Sequence, residues 1–214
     1  MLINDSSNNI HALFNRPRPF WKKLMDLFGA LIGLVLLSPI FLVIALLIKC
    51  TSSGPVFYKQ LRTGLGGEPF FVYKFRTMIP DAESKRDELI IYNERSGPVF
   101  KMVDDPRITK VGKFLRRWSL DELPQLINVI KGEMSLVGPR PLYVIEEELM
   151  SQWHRIRRTV KPGITCLWQI SDRKNPDFDD WVRLDIRYVK NISFWLDLKI
   201  LLLTLPAVIT NKNL

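Results

Sequence analysis

Cysteine is scarce in this 214-residue chain, which has only Cys50 and Cys166. Two thiols that far apart form neither a disulfide framework nor a thiolate metal site, and they fit a reducing compartment. Internal repeats and low-complexity tracts are absent, so a repeat array is excluded. Acidic charge is in deficit: 22 Asp plus Glu face 31 Lys plus Arg, a net charge of +9. That balance favours anionic partners, whether nucleic acid, anionic lipid head groups or phosphorylated substrates. No nucleic-acid-binding motif accompanies the basic residues, so no nucleic-acid partner is expected. The length makes one domain the default and leaves ample chain for a core.

Charge is missing altogether from Leu27 to Ile48, a run of 22 residues reading LFGALIGLVLLSPIFLVIALLI. About 20 apolar residues cross a bilayer as a helix. The run is too long for a cleaved signal peptide, and no small-residue cleavage site follows it. It is apolar all round, unlike the helices of most soluble cores. Membrane insertion is therefore expected. Pro39, at the centre, lacks a backbone donor and predicts a kink, and Ser38 can return a hydrogen bond to the freed backbone. Arg16, Arg18, Lys22 and Lys23 precede the run; Lys49, Lys59 and Arg62 follow it. Positive charge stays on the cytoplasmic side, and here both ends ask for that side. A helix bent at Ser38-Pro39 that enters and leaves by one face meets both demands. A kinked spanning anchor is the alternative.

Beyond the run, Val56 to Leu61 and Phe70 to Phe75 read as short strands, with Gly64, Gly66 and Gly67 marking a hairpin or irregular loop between them. Lys59, Arg62, Lys74 and Arg76 stud this unit. They form either a solvated or lipid-facing basic surface or a phosphate cradle. Residues 81–95 read as a charged surface helix or mobile segment. Ile108, Val111, Phe114 and Leu115 fall at helical spacing with basic residues opposite, an amphipathic helix suited to a membrane interface. Residues 194–209 are apolar but interrupted by Asp197 and Lys199, which reads as an interfacial helix rather than a span.

The stretch SLDELPQL, residues 119–126, sets Asp121 and Glu122 side by side among basic residues. Ser119 to Glu122 has the form of a capping box. That register would put Pro124 inside the helix, where it costs about 3 kcal/mol. If Asp121 is itself the cap, Pro124 falls harmlessly in the first turn. Arg116 lies five residues before Asp121, and Arg140 is fixed between Pro139 and Pro141. A guanidinium on a stiff loop suits bidentate phosphate recognition. A carboxylate beside phosphate binders can hold Mg²⁺ or attack phosphorus. The residues alone leave a helix cap and a catalytic dyad both open.

Taken together these segments resemble the bacterial sugar transferases, the monotopic phosphoglycosyl transferases that start glycan assembly on a polyprenyl carrier. The resemblance runs from about residue 21 to residue 209 and rests on several segments jointly. They are the apolar run with Ser38-Pro39, GPVFYKQLRTG (54–64), YKFRTM (73–78), LRRWSLDELPQLINVIKGEMSLVGPRPL (115–142), VKPGITCLWQIS (160–171) and YVKNISFWLDLKILLLT (188–204). It implies an α+β, mostly helical fold in its minimal, catalytic-domain form. A re-entrant membrane helix kinked at Ser38-Pro39 (21–49) would follow an N-terminal tail (1–20). One catalytic domain (50–210) would hold a short β-hairpin and amphipathic interfacial helices, ending in a tail (211–214). The location implied is the cytoplasmic face of the bacterial inner membrane. The family's Asp-Glu dyad falls on Asp121 and Glu122. Asp121 would bind Mg²⁺ and attack the β-phosphate of a UDP-sugar, releasing UMP. Polyprenyl phosphate would then take the phosphosugar from Asp121. Arg116 and Arg140 match phosphate-binding arginines, and the assignment extends to Lys59, Arg62 and Arg76. Membrane lipid is a further partner, and the oligomeric state, homo-oligomer or not, stays open. Cys166 stands where the family usually has glycine, and Ser171-Asp172-Arg173 replaces a small-Gly-Arg triplet. Minimal relatives point to an N-acetylated hexosamine donor, with a plain hexose as the alternative. A membrane-tethered assembly protein whose dyad only caps a helix is the non-enzymatic reading.

Overall fold

The computed structural model describes residues 19–94, 96–100, 102–171 and 177–210. The readings made for Arg16, Arg18, Asp172, Arg173 and residues 211–214 lie outside them. The apolar run forms one helix, α1 (Phe20–Thr51), with Pro39 inside it. The Ser38 hydroxyl donates to the Val35 carbonyl at 2.8 Å. That carbonyl lies four residues before Pro39 and loses its helical donor there, so the hydroxyl replaces the missing bond. Among the described residues α1 is the helix long and apolar enough to cross a membrane. Much of its surface is bare hydrocarbon, including Phe28, Ile32, Val35, Leu36, Leu42 and Leu46.

The inner face of α1 is used along its whole length. Its first half sets Ala30 into a core with Leu126, Val129, Leu136, Tyr188 and Ile200. Its last turns bury Ile44 and Ile48 against Phe75 and Leu115. Between these contacts Gly33 faces Leu126. Lys22 is not a free flanking charge. It is buried, ion-paired with Asp197, and donates to the Val137 carbonyl at 2.9 Å. The Tyr188 hydroxyl donates to Asp197 at 2.8 Å. One turn on, Asp26 accepts from the Ser135 hydroxyl and the Leu136 amide at 2.8 and 2.9 Å. Asp197 therefore interrupts the apolar C-terminal segment for a reason: it is the counter-ion of Lys22.

The hairpin forms as expected. β1 (Phe57–Thr63) pairs antiparallel with β2 (Pro69–Phe75), and Gly66 and Gly67 take the positive φ values of the turn. Side chains alternate across a strand. In-register pairs Tyr58–Lys74, Gln60–Val72 and Arg62–Phe70 share one face, while Lys59–Tyr73 and Leu61–Phe71 share the other. Among the described residues of the segment expected as a helix over 81–95, the helical elements are a short helix, α2 (Arg86–Leu89), and a 3-10 turn, Ile90–Tyr92. Helix α3 (Lys110–Arg117) starts at Thr109, whose hydroxyl accepts from the Gly112 amide. Leu115 is fully buried but Phe114 is exposed, and Ile108 lies before the helix in a bridge to Met78. The expected apolar face of this segment is thus split between core and surface.

Helix α4 (Gln125–Ile130) packs on α1 and leads to β3 (Ser135–Val137). β3 pairs in parallel with β4 (Gly163–Thr165), Ser135 opposite Gly163 and Val137 opposite Thr165. Just past β3 the two backbones nearly touch: a Cβ at Gly163 would fall 2.0 Å from the Gly138 amide nitrogen. Helices α5 (Val144–Glu148), α6 (Leu167–Ile170), α7 (Phe178–Lys190) and α8 (Phe194–Ile209) complete the chain. A second core, with Leu142, Trp168, Phe178, Trp181 and Val182, lies between α6 and α7.

The Lys22–Asp197 pair gives a stability test. Removing Asp197 takes from buried Lys22 its short ion pair and leaves it Asp26 at 3.7 Å; breaking a buried pair costs about 3–5 kcal/mol, whereas an apolar pair of similar volume is tolerated. Asp197→Ala should lower the melting temperature in detergent sharply. Lys22→Met with Asp197→Leu should recover most of the loss. A double variant no better than the single would refute the pairing.

Candidate active site

Neither cap geometry expected at the acid pair is formed. Ser119 adopts the left-handed conformation, φ 53° and ψ 21°, uncommon for a residue with a Cβ. It turns the chain between α3 and a separate 3-10 turn, Leu120–Glu122, without a side-chain cap hydrogen bond. Pro124, not Asp121, precedes α4, again with no side-chain cap. The dyad is thus displaced from the helix start and displayed on its own turn. It opens onto a cleft of about 890 Å³, lined also by Arg62, Lys74, Arg116 and Arg140.

The two carboxylates differ in environment. Arg140 forks onto Glu122, its two terminal nitrogens lying 2.6 and 3.2 Å from the two oxygens. Lys74 Nζ adds a third bond at 3.1 Å. Burial opposes ionisation of Glu122, but Arg140 and Lys74 outweigh it and hold the carboxyl well below the usual range. The same pairing pushes Arg140 up, while burial pulls Lys74 down against the pull of Glu122. Asp121 is buried too, and among the described residues its carboxylate accepts no hydrogen bond. Burial and the adjacent Glu122 charge push it above the ordinary aspartate value, against Lys74, Arg116 and Arg140. Adjacent acids driven apart in this way are a mark of divided chemical roles. Here Glu122 is a fixed anion and Asp121 an unpartnered one.

The cations around them are held from behind. Arg116, in the last turn of α3, donates from Nε to the Thr77 hydroxyl at 2.9 Å, which leaves its terminal nitrogens toward the cleft. The Arg140 carbonyl accepts from Arg157 at 2.7 Å. Arg157 is in turn clamped by buried Asp185 at 3.0 and 2.6 Å. Arg62 lies 3.5 Å over the Tyr143 ring, bonds Gln60, and donates to the Pro141 carbonyl at 3.2 Å. Burial lowers its affinity for its proton.

A family model described as bacterial sugar transferase matches residues 17–211. The chain belongs to the bacterial sugar transferase family. The galactosyl transferase CpsE of Streptococcus agalactiae is 47% identical over 189 residues, covering 88% of this chain and 42% of that protein. The exopolysaccharide production protein ExoY of Rhizobium meliloti is 42% identical over 196 residues, covering 90% of this chain and 87% of the relative. The UDP-glucose:undecaprenyl-phosphate glucose-1-phosphate transferase of Klebsiella pneumoniae is 40% identical over 220 residues, covering 99% and 43%. The chain thus spans less than half the length of two of these relatives and most of the third.

In this member of the family the structure brings Asp121, Glu122, Arg116, Arg140 and Arg62 to one cleft. It does not bring Lys59. That residue is on the outer face of the hairpin with Nζ 5.7 Å from the Tyr73 ring centroid. Strand alternation forbids Lys59 and Arg62 from facing the same way. Arg76 borders the cleft, but its guanidinium is engaged by the Ser52 and Ser53 carbonyls and the Ser52 hydroxyl, where it ties down the end of α1. In sequence Lys74 counts only among the hairpin's basic residues, as part of a possible phosphate cradle, and is not assigned to the dyad. Its signal was present in the strand register, since an even-numbered β2 residue shares the Arg62 face. Gln60, two residues before Arg62 on the same strand face, carried the same signal, whereas Tyr143 carried none.

The raised Asp121 carboxyl gives a pH-dependent expectation. Ionised Asp121 destabilises the fold, so the neutral side chain of Asp121→Asn should be more stable near neutral pH, on the order of 1 kcal/mol. The gain should shrink as pH falls through the raised value and vanish below about pH 4, where the acid is protonated in both folded and unfolded chains. Melting curves from pH 4 to 8 measure this. A constant difference would contradict the assignment.

Proposed function

We propose that the protein is a polyprenyl-phosphate sugar-1-phosphate transferase that catalyses the first membrane step of glycan assembly. The observation that carries this is the divided dyad: a locked Glu122 beside an unpartnered Asp121 facing a cationic cleft. In the first half-reaction an Asp121 oxygen attacks the β-phosphorus of a UDP-sugar. The bond from that phosphorus to the bridging oxygen breaks, and UMP leaves with the electron pair. In the second, an oxygen of polyprenyl phosphate attacks the same phosphorus and the Asp121 carboxylate leaves. This is covalent catalysis split into two displacements. Arg116 and Arg62 offset charge on the diphosphate, and Arg140 serves two roles through its fork on Glu122 and its place at the cleft.

Mg²⁺ fits the donor set in one way only. Among the described residues no group of three or more acids, histidines or cysteines could hold a metal. Glu122 is already occupied, so the ion would bind through Asp121 and the substrate phosphates, an arrangement usual for Mg²⁺. When bound it supplies charge neutralisation on the transferring phosphoryl group. The sugar is a hexose: the relatives whose names specify a sugar name galactose or glucose. This replaces the N-acetylated hexosamine as the leading donor.

The membrane arrangement is re-entrant, at the cytoplasmic face of the inner membrane. In support, the first turn of α1 at Lys22 and its last turns at Ile44 and Ile48 are packed on the same globular unit. A spanning helix would put its ends on opposite faces of a bilayer about 30 Å thick, where one globular unit cannot hold both.

Two measurements test these statements. With Mg²⁺, polyprenyl phosphate and a panel of UDP-sugars, the protein should release UMP from a UDP-hexose, and Asp121→Asn should lose activity by about 10³-fold or more. Release of UDP instead would refute the phosphosugar transfer. For topology, single cysteines at positions 20 and 183, placed in a Cys50→Ser background, should both escape an impermeant thiol reagent in intact cells. Labelling of one alone would mean a spanning helix.

A further inference from the structure

The outer face of the hairpin takes no part in the transfer reaction. By register it carries the pairs Phe57–Phe75, Lys59–Tyr73 and Leu61–Phe71. One end of this face is closed by α1. Phe75 is buried against Ile44 and Ile48, and its ring centroid lies 5.1 Å from that of Phe41, two residues past Pro39. Phe57 stacks on Phe75 at 5.3 Å and is itself exposed. The other end is open: Leu61 and Phe71 are 43% and 53% exposed. The face that receives the apolar helix at one end is therefore bare at the other.

Between the two ends stand two cations. Lys59 Nζ lies 5.7 Å and Lys131 Nζ 4.7 Å from the centroid of the Tyr73 ring, and Lys131 donates to the Tyr73 hydroxyl at 2.6 Å. Both lysines are exposed. Among the described residues neither lies within ion-pair distance of an acid. Glu133, the acid whose charge acts on Lys131, accepts instead from the Asn128 amide at 2.7 Å. Two ammonium groups drawn to one ring repel each other unless an anion joins them.

We infer that this face rests on the bilayer surface and binds anionic lipid. Leu61 and Phe71 enter the boundary between head groups and acyl chains, and Lys59 and Lys131 hold head-group phosphates. The inference rests on the entry of α1 into the membrane. Aromatic rings and lysines beside bare aliphatic groups are the composition of a membrane interface, where long lysine stems carry their charge to head-group level. A soluble phosphate would satisfy the lysines and leave Leu61 and Phe71 in water. A neutral apolar partner would cover Leu61 and Phe71 and leave the ammonium groups unpaired. An anionic bilayer meets both demands, and α1 brings the bilayer to this face. The role also accounts for Lys59, which strand alternation turns away from the cleft.

Fluorescence quenching of the full chain in nanodiscs tests this. An environment-sensitive label is placed on Phe71→Cys or on Leu36→Cys, each in a Cys50→Ser background in which Cys166 stays buried. The label at 71 should lose at least about half of its emission to lipids carrying a nitroxide near the head group. That loss should be about twofold larger in discs containing phosphatidylglycerol than in phosphatidylcholine alone. Lys59→Gln with Lys131→Gln should abolish the difference and leave the label at 36 unchanged. Quenching at 36 with none at 71 would overturn the inference and leave the insertion of α1 intact. Shielding of 71 from aqueous acrylamide without quenching by lipid would give the face to a second copy of the chain and overturn it as well. Quenching at 71 that ignores lipid charge would overturn the assignment of the two lysines. No quenching at 36 would instead refute the membrane insertion on which the inference rests.

Discussion

The site depends on the clamp that Arg140 and Lys74 place on Glu122. Two adjacent carboxylates in a buried site repel, and neither ionises easily. Three hydrogen bonds from two cations fix the second acid as an anion and commit both of those cations to it. The first acid is left with the desolvation and the repulsion but without a bonding partner. Such a carboxylate is poorly stabilised in the ground state. It gains most from an electrophilic phosphorus or a metal ion arriving with substrate. In the proposed mechanism Glu122 thus acts through Asp121, by keeping Arg140 and Lys74 from pairing with it.

The clamp is held by a chain of contacts that reaches the membrane helix. Arg140 follows directly on the crossing of Gly138 over Gly163, where no side chain fits between the backbones. Arg157 and Asp185 hold the Arg140 carbonyl from beneath. One residue before the crossing, the Val137 carbonyl accepts from both Lys22 and Tyr188. At its other end α1 is tied to the hairpin by Arg76, two residues from Lys74. The apolar helix is therefore joined at both ends to the elements that carry the clamp. Under the proposed transferase reading, this joined packing is what would let a water-soluble donor and a lipid-borne acceptor meet at one aspartate.

The parts written in local pattern were legible in the sequence. The uncharged run, the Ser38 compensation for Pro39, the glycine-marked hairpin and the acid pair beside Arg116 each follow from spacing and residue type. The parts that failed depend on contacts distant along the chain or on unsignalled backbone geometry. Lys22 read as a topological flank because its counter-ion, Asp197, is 175 residues away. Arg76 read as a phosphate ligand because nothing local shows that it returns to the end of α1. The left-handed turn at Ser119 has no glycine to announce it, so the residues alone left a helix cap open beside the catalytic dyad. Lys59 is different: strand alternation already separated it from Arg62.

The central claim is that Asp121 carries the phosphosugar between two displacements. Isotope exchange measures this most directly. Protein, Mg²⁺, UDP-hexose and labelled UMP would be incubated with no polyprenyl phosphate present. Label entering the UDP-hexose pool, and lost in Asp121→Asn, is the predicted result, because the first displacement runs forward and back without an acceptor. Exchange that appears only when polyprenyl phosphate is added would mean a single direct displacement, and Asp121 would not be the nucleophile.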